Sequence, residues 1–332
     1  MSAAADALFA DTVLPSRWSD DTVKLVDDSS KSQSGSIVGG APIELIANYA
    51  SLAGDPRQFA VAAEANGYDG VGCSDHLFRT AAYPHLWVTL SAMAAATDRV
   101  FLTSSFANNL FRSPVEFVQA SLTMQWLSGG RFEAGLGAGW LEGEVIGSGL
   151  EYPSPPTRAR RYREAILIAR ELLSTGRCTF EGEHYSIKVP VIGPACDTSP
   201  LLVASVGGPW TIEHVSPLVD RVELKFGAST RNGDLDTGAL AVSTRADLIE
   251  MIERVRAVAP DVPIGMFAMI AVGGDDETAR IGESLDGGLY ADFVGEPSRV
   301  LGNLRSLAGL GISRVQLTER LKGSIERLGR VR

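Results

Sequence analysis

Four histidines are spread over 332 residues, and only His76 directly follows an apolar run, YDGVGCS (68–74). An imidazole titrates near neutrality, so a histidine at a strand end can give or take a proton, and the adjacent Asp75 can orient a neighbour or hold a ligand. The same Asp-His pair can equally cap the helix that follows. His85, His184 and His214 show no metal-ligand spacing with one another, so no metal site is expected. GLGAGW (135–140) is G-x-G-x-G rather than G-x-G-x-x-G and fails as a dinucleotide fingerprint. Its glycines either let a flat ligand approach the backbone or let a strand and loop pack tightly. SVGGP (205–209) exposes backbone N–H groups just before a helix, which suits a phosphate or a plain turn. Glu223 and Lys225 share one face of the run RVELKFG (221–227), and a buried ion pair between them is expected, with a substrate contact as the alternative. No G-x-S-x-G, G-x-x-x-x-G-K-[ST] or H-E-x-x-H occurs, which removes the α/β-hydrolase, P-loop and zincin classes.

These segments need elements to position them. From Pro42 onward short apolar runs alternate with helical patterns. The strand-like runs are 43–48, 68–74, 99–106, 131–137, 201–207, 221–227, 264–272 and 313–319. Among the helices, TRARRYREAILIARELLSTG places Tyr162, Ile166, Ala169 and Leu173 on one face and stops at Gly176. TFEGEHYSI after it reads as an outer hairpin. Eight buried strands alternating with helices predict an α/β fold, a (β/α)8 TIM barrel over residues 41–332, with an open doubly wound sheet as the alternative. In such a barrel the active site lies at the C-terminal strand ends, where the segments above fall. Residues 1–40 carry the Ser-, Asp- and Gly-rich stretch DDTVKLVDDSSKSQSGSIVGG and are expected to form an extension, partly disordered or draped over the barrel, unless VKLV is an edge strand.

Composition narrows the class. The chain is 45% hydrophobic and 21% charged, enough to fill a large core. With 30 basic and 40 acidic residues the formal net charge is −10, which makes a nucleic-acid partner unexpected and leaves an anionic ligand to be held by backbone N–H groups and local arginines. Cys73, Cys178 and Cys196 are odd in number and far apart, so neither disulfides nor a zinc knuckle is expected. The N-terminus has no secretory pattern and no window approaches a membrane span, so a cytoplasmic protein that does not enter membranes is expected.

Taken together, YDGVGCSDHLF, RVFLTSSFANNLFRSPVEFVQASLTMQWLSGGRFEAGLGAGWLEGE, RARRYREAILIARELL with TFEGEHYSI, and LLVASVGGPWTIEHV resemble the bacterial luciferase-like family of flavin and deazaflavin oxidoreductases. The Ser-Asp-His of the second strand is similar to the branch that uses coenzyme F420 in place of FMN. The resemblance implies hydride transfer between F420 and a small organic substrate, with His76 as proton donor or acceptor and Asp75 at the cofactor ring. It implies a cofactor site built from Asp75, Ser104, Ser105, Ala138, Gly139, Ser205, Gly207 and Gly208, with the phosphate at Gly207-Gly208. A non-prolyl cis peptide is implied at Ser104–Ser105 or one residue later. Asn108 and Trp140 would line the substrate pocket. Sugar-phosphate dehydrogenases of this branch use a second acid in the glycine-rich segment, where Ala138 and Trp140 offer none. The second acid is therefore expected to be missing, and an apolar carbonyl or alkene substrate is expected. A homodimer is implied by analogy. The alternatives are an FMN-dependent monooxygenase of the same barrel and a flavin-binding barrel without turnover, against which His76 argues.

Overall fold

Among the described residues, twelve strands organise the chain: β1 (Glu44–Tyr49), β2 (Gly70–Cys73), β3 (Phe101–Ser104), β4 (Ala107–Asn108), β5 (Phe132–Gly137), β6 (Cys178–Glu181), β7 (Ser186–Val189), β8 (Leu201–Val206), β9 (Arg221–Leu224), β10 (Ile264–Val272), β11 (Val294–Gly295) and β12 (Ile312–Glu319). They come from a computed structural model that describes residues 43–49, 54–79, 82–227, 237–285 and 287–332. The expected extension at 1–40, with its VKLV stretch, lies outside the described residues. Eight strands run parallel in the order β12-β1-β2-β3-β5-β8-β9-β10. The ring closes because β10 pairs with both β9 (Ile264 opposite Val222) and β12 (Met266 opposite Val315). That closure decides for the TIM barrel over the open sheet. β6 and β7 form the separate antiparallel hairpin, Phe180 opposite Ile187.

Local chemistry accounts for the elements that carry the strand ends. The helix Pro114–Leu127 starts where Ser113 Oγ accepts from Glu116 N at 3.1 Å, and Gly129 and Gly130 leave it with φ of +66° and +90°. That turn delivers Arg131, whose guanidinium donates to the carbonyls of Ala94, Thr97 and Val100 and so ties the end of the helix Leu86–Ala96 to the start of β5. The helix Pro155–Thr175 ends at Gly176 in the left-handed conformation. It buries Tyr162, whose hydroxyl donates to Leu136 O at 2.6 Å beneath the glycine-rich segment.

The lower barrel interior is charged. Arg314 is fully buried, donates to Glu44 at 2.8 Å, grips Glu133 through both Nη atoms, and lies 3.8 Å from Glu223. Gly265 is required beside it, since a Cβ there would come within 2.3 Å of Glu223 Oε2. The expected Glu223–Lys225 ion pair is not formed; the cation beside Glu223 is Arg314. Residues two apart on a strand share a face but stand roughly 6–7 Å apart along it, whereas Arg314 reaches Glu223 from the layer it shares.

Candidate active site

A cavity of about 830 Å³ lies at the C-terminal ends of the barrel strands. It draws together His76, Asp75, Ser105, Asn108, Ala138, Gly139, Trp140, Ser205, Gly207 and Gly208 of the residues singled out above. Ser104 is not among its lining. Its hydroxyl is buried in the sheet, donating to Gly135 O at 2.8 Å and accepting from Gly135 N at 2.9 Å. The cis bond falls one residue after it, between Ser105 and Phe106. Phe106 lines the cavity, and Ser105 Oγ donates to the Gln316 side chain.

His76 follows β2 and has an acid partner. Its Nδ1 lies 3.0 Å from Glu144 Oε2, and the Glu144 side chain is 1% exposed. The other carboxylate oxygen accepts from the backbone of Leu77 and of Phe78, the latter at 3.2 Å. A carboxylate only accepts, so Nδ1 carries the hydrogen of a neutral His76 and Nε2 is left to meet a ligand. The ring is walled by Tyr83 at 5.0 Å and Trp140 at 5.8 Å between centroids. An acid therefore stands at Nδ1 of this histidine, outside the residues that line the cavity, where Ala138 and Trp140 offer none. It comes from the short helix Glu142–Gly147, further along the same block. Nothing in the local pattern separates Glu144 from the exposed Glu142; only the fold buries one of them.

Asp75 is committed to protein groups. It accepts from Asn108 N at 2.6 Å and pairs with Arg112, one guanidinium nitrogen lying 3.2 Å from Oδ1. Arg112 in turn sits 5.7 Å from the Trp87 ring centre. The carboxylate implied to touch a cofactor ring is thus neutralised and anchors the loop after β3. Asn108 Oδ1 accepts from Leu110 N at 2.9 Å, a turn-forming bond.

The two glycine segments do different work. At Gly139, φ is +81° and a Cβ would meet Asn108 Oδ1 at 2.4 Å; at Gly135 it would meet Ser104 O at 2.0 Å. Tight packing explains these two, while Gly137, Ala138 and Gly139 also face the cavity. Gly207 and Gly208 precede the helix Pro209–Val215, and Gly208 N donates to Thr211 Oγ1 at 3.2 Å. Charge distinguishes the lining from the rest of the molecule. Arg79, Arg158, Arg160 and Lys225 border it, and among the described residues its one carboxylate is the paired Asp75. Of these cations the sequence singles out only Lys225, because an arginine in a helical pattern reads as a solvated face.

Fold and site together define a (β/α)8 barrel with a cavity at the C-terminal ends of its strands. Residues 47–281 match the family profile described as luciferase-like monooxygenase, and the chain belongs to that family. Among curated relatives, an F420-dependent glucose-6-phosphate dehydrogenase of Microbacterium testaceum is 38% identical over 135 residues, covering 39% of this chain and 40% of that protein. One from Amycolatopsis mediterranei is 32% identical over 165 residues, covering 48% and 50%. The matches thus span half or less of those relatives' length. Among solved structures, an F420-dependent secondary alcohol dehydrogenase in complex with an F420-acetone adduct superposes with a TM-score of 0.69 at 19% identity, covering 88% of this chain and 98% of that one. A monooxygenase from Streptomyces bottropensis superposes with 0.67 at 16% identity, covering 87% and 97%. At these identities the two structures establish the fold. Among the described residues no helix is long and apolar enough to cross a membrane, and no cluster of metal-ligating side chains occurs.

Proposed function

We propose that this chain is a deazaflavin-dependent oxidoreductase that exchanges hydride between coenzyme F420 and a small organic substrate, with His76 as the proton donor or acceptor. The observation that carries the reading is the His76–Glu144 pair at the edge of a cationic cavity in an acidic protein. The residues present fit a flat ring on a phosphate-bearing tail. Phe106, Phe267 and Met269 offer apolar surface, Gly137 to Gly139 open the backbone, and Gly207 and Gly208 with Arg158 and Arg160 suit an anionic end. Bound there, F420 supplies a hydride at C5 of its deazaflavin ring.

The protein's own part is positional. Glu144 holds the His76 ring in one orientation and tautomer, so that Nε2 exchanges a proton with the substrate oxygen or carbon next to the reacting centre. Trp140 and Tyr83 keep water from the proton-transfer nitrogen. Titrating the protein with F420 and with FMN, followed by fluorescence, tests the cofactor. Tight F420 binding is expected, and FMN binding with none for F420 returns the chain to the oxygen-using monooxygenases of its family. His76→Ala is expected to leave F420 affinity within a few-fold and to cut turnover by roughly 10²–10⁴-fold, the usual range for a lost general acid. Unchanged turnover removes His76 from the mechanism.

A further inference from the structure

Lys225 follows the C-terminal end of β9, where its backbone N donates to Val206 O at 2.8 Å. From there the side chain enters the cavity between two aromatic rings. Its ammonium lies 4.3 Å from the centre of Phe267 and 5.2 Å from that of Phe106. No carboxylate or hydrogen-bond acceptor meets it among the described residues; Glu223, its neighbour along the strand, belongs to the Arg314 layer below. A half-buried ammonium set over two ring faces and an open cavity is an incomplete arrangement. Cation–π contact recovers only part of the lost hydration.

We propose that Lys225 is the counter-charge for an oxyanion carried by the ligand, of carboxylate class, which docks between Phe106 and Phe267. The inference rests on the cavity being the ligand site of the proposed oxidoreductase and names the chemistry of what enters it. Burial lowers the Lys225 ammonium to about 8, so the group is still mostly charged at neutral pH and ready to pair. Such an occupant changes the substrate expected from Trp140 alone: an unsaturated or carbonyl compound with an apolar body and an anionic end. The same oxyanion chemistry can be supplied by the cofactor, and the two sources separate experimentally.

Binding of benzoate and of benzamide to the full-length protein is measured calorimetrically at neutral pH, beside F420 titration, for wild type, Lys225→Met and Lys225→Arg. If the substrate supplies the oxyanion, benzoate binds wild type better than benzamide does. Lys225→Met then loses about ten- to a hundredfold of benzoate affinity, as expected for a hydrogen bond to a charged group, while Lys225→Arg keeps part of it. F420 affinity stays within a few-fold. If the cofactor supplies it, the loss appears in F420 affinity and Lys225→Arg restores part of it. A folded Lys225→Met protein with neither affinity changed overturns the proposal, as does wild type that binds benzoate no better than benzamide while Lys225→Met keeps full F420 affinity. Failure of wild type to bind F420 refutes the F420 reading instead, and the benzoate comparison still judges Lys225.

Discussion

At the scale of single residues, the site turns on which nitrogen of His76 carries a proton. Glu144 answers that through three bonds: one to Nδ1 and two from the backbone of Leu77 and Phe78. Replacing it with glutamine reverses the polarity. The amide oxygen is retained by the two backbone donors, so the amide nitrogen faces Nδ1 and donates to it, which drives the ring hydrogen to Nε2. A His76 in that tautomer offers no lone pair to the cavity. Glu144→Gln is therefore expected to lower turnover about 10–100-fold, the usual effect of losing a partner that orients a functional histidine, with F420 affinity nearly unchanged. Nitrogen-15 shifts of the imidazole ring check this directly. Wild type should show the Nδ1–H form and the variant the Nε2–H form; the same tautomer in both removes Glu144 from this role.

At the scale of elements, the ends of β3 and β5 are packed backbone to backbone, and glycine is the device. A Cβ at Gly135 would lie 2.0 Å from Ser104 O and 2.9 Å from the Phe106 ring. Gly135→Ala is expected to destabilise by about 1–3 kcal/mol or more, as overpacked cores do, and to weaken F420 binding because Phe106 borders the cavity. Gly302, inside the helix Pro297–Ser306, meets nothing within 4 Å, and Gly302→Ala should stabilise by about 0.5–1 kcal/mol. Urea unfolding of both variants reads the contrast, and equal effects would show that the two sites are not different environments. The contrast also indicates what was legible beforehand. Buried parallel strands are continuous apolar runs, so all eight barrel strands and the outer hairpin could be placed from sequence, and with them the strand-end residues of the cavity. Contacts between strand ends distant in sequence could not. Glu144 is 68 residues from His76, and its burial depends on how the helix Glu142–Gly147 lies against the loop after β2. Ser104 and Ser105 are neighbours of one type, yet Ser104 closes β3 and bonds Gly135 within the sheet while Ser105, just past the strand end, borders the cavity.

At the scale of the whole molecule, the barrel axis holds two ionisable groups displaced towards each other from opposite ends of the pH scale. Glu223 is fully buried, and burial raises its carboxyl from 4.5 to about 7, against the opposing pull of Arg314 and Arg221. Burial lowers the Lys225 ammonium from 10.5 to about 8, against the pull of Glu223. The folded state thus holds a proton on Glu223 that the unfolded chain has released. That contribution to stability is complete below 4.5 and is lost as pH rises through about 7. Lys225 has the opposite sign: the folded state releases a proton that the unfolded chain keeps up to 10.5, so its contribution is complete above that value and is lost as pH falls through about 8. Between about 7 and 8 both groups weigh against the fold, and the unliganded protein should pass through its least favourable balance there. Glutamine imitates the protonated Glu223 at every pH. The melting temperature of Glu223→Gln should therefore match wild type near pH 5 and exceed it by roughly 2–6 °C near pH 8. Lys225→Met should exceed wild type near pH 8 and lose that advantage towards pH 10.5. An oxyanion bound at Lys225 should diminish the second difference and leave the first untouched, because it restores the partner of the ammonium and does nothing for the carboxyl below it. Melting curves of the three proteins across this range, with and without benzoate, would refute the account if the variant-minus-wild-type differences were flat with pH.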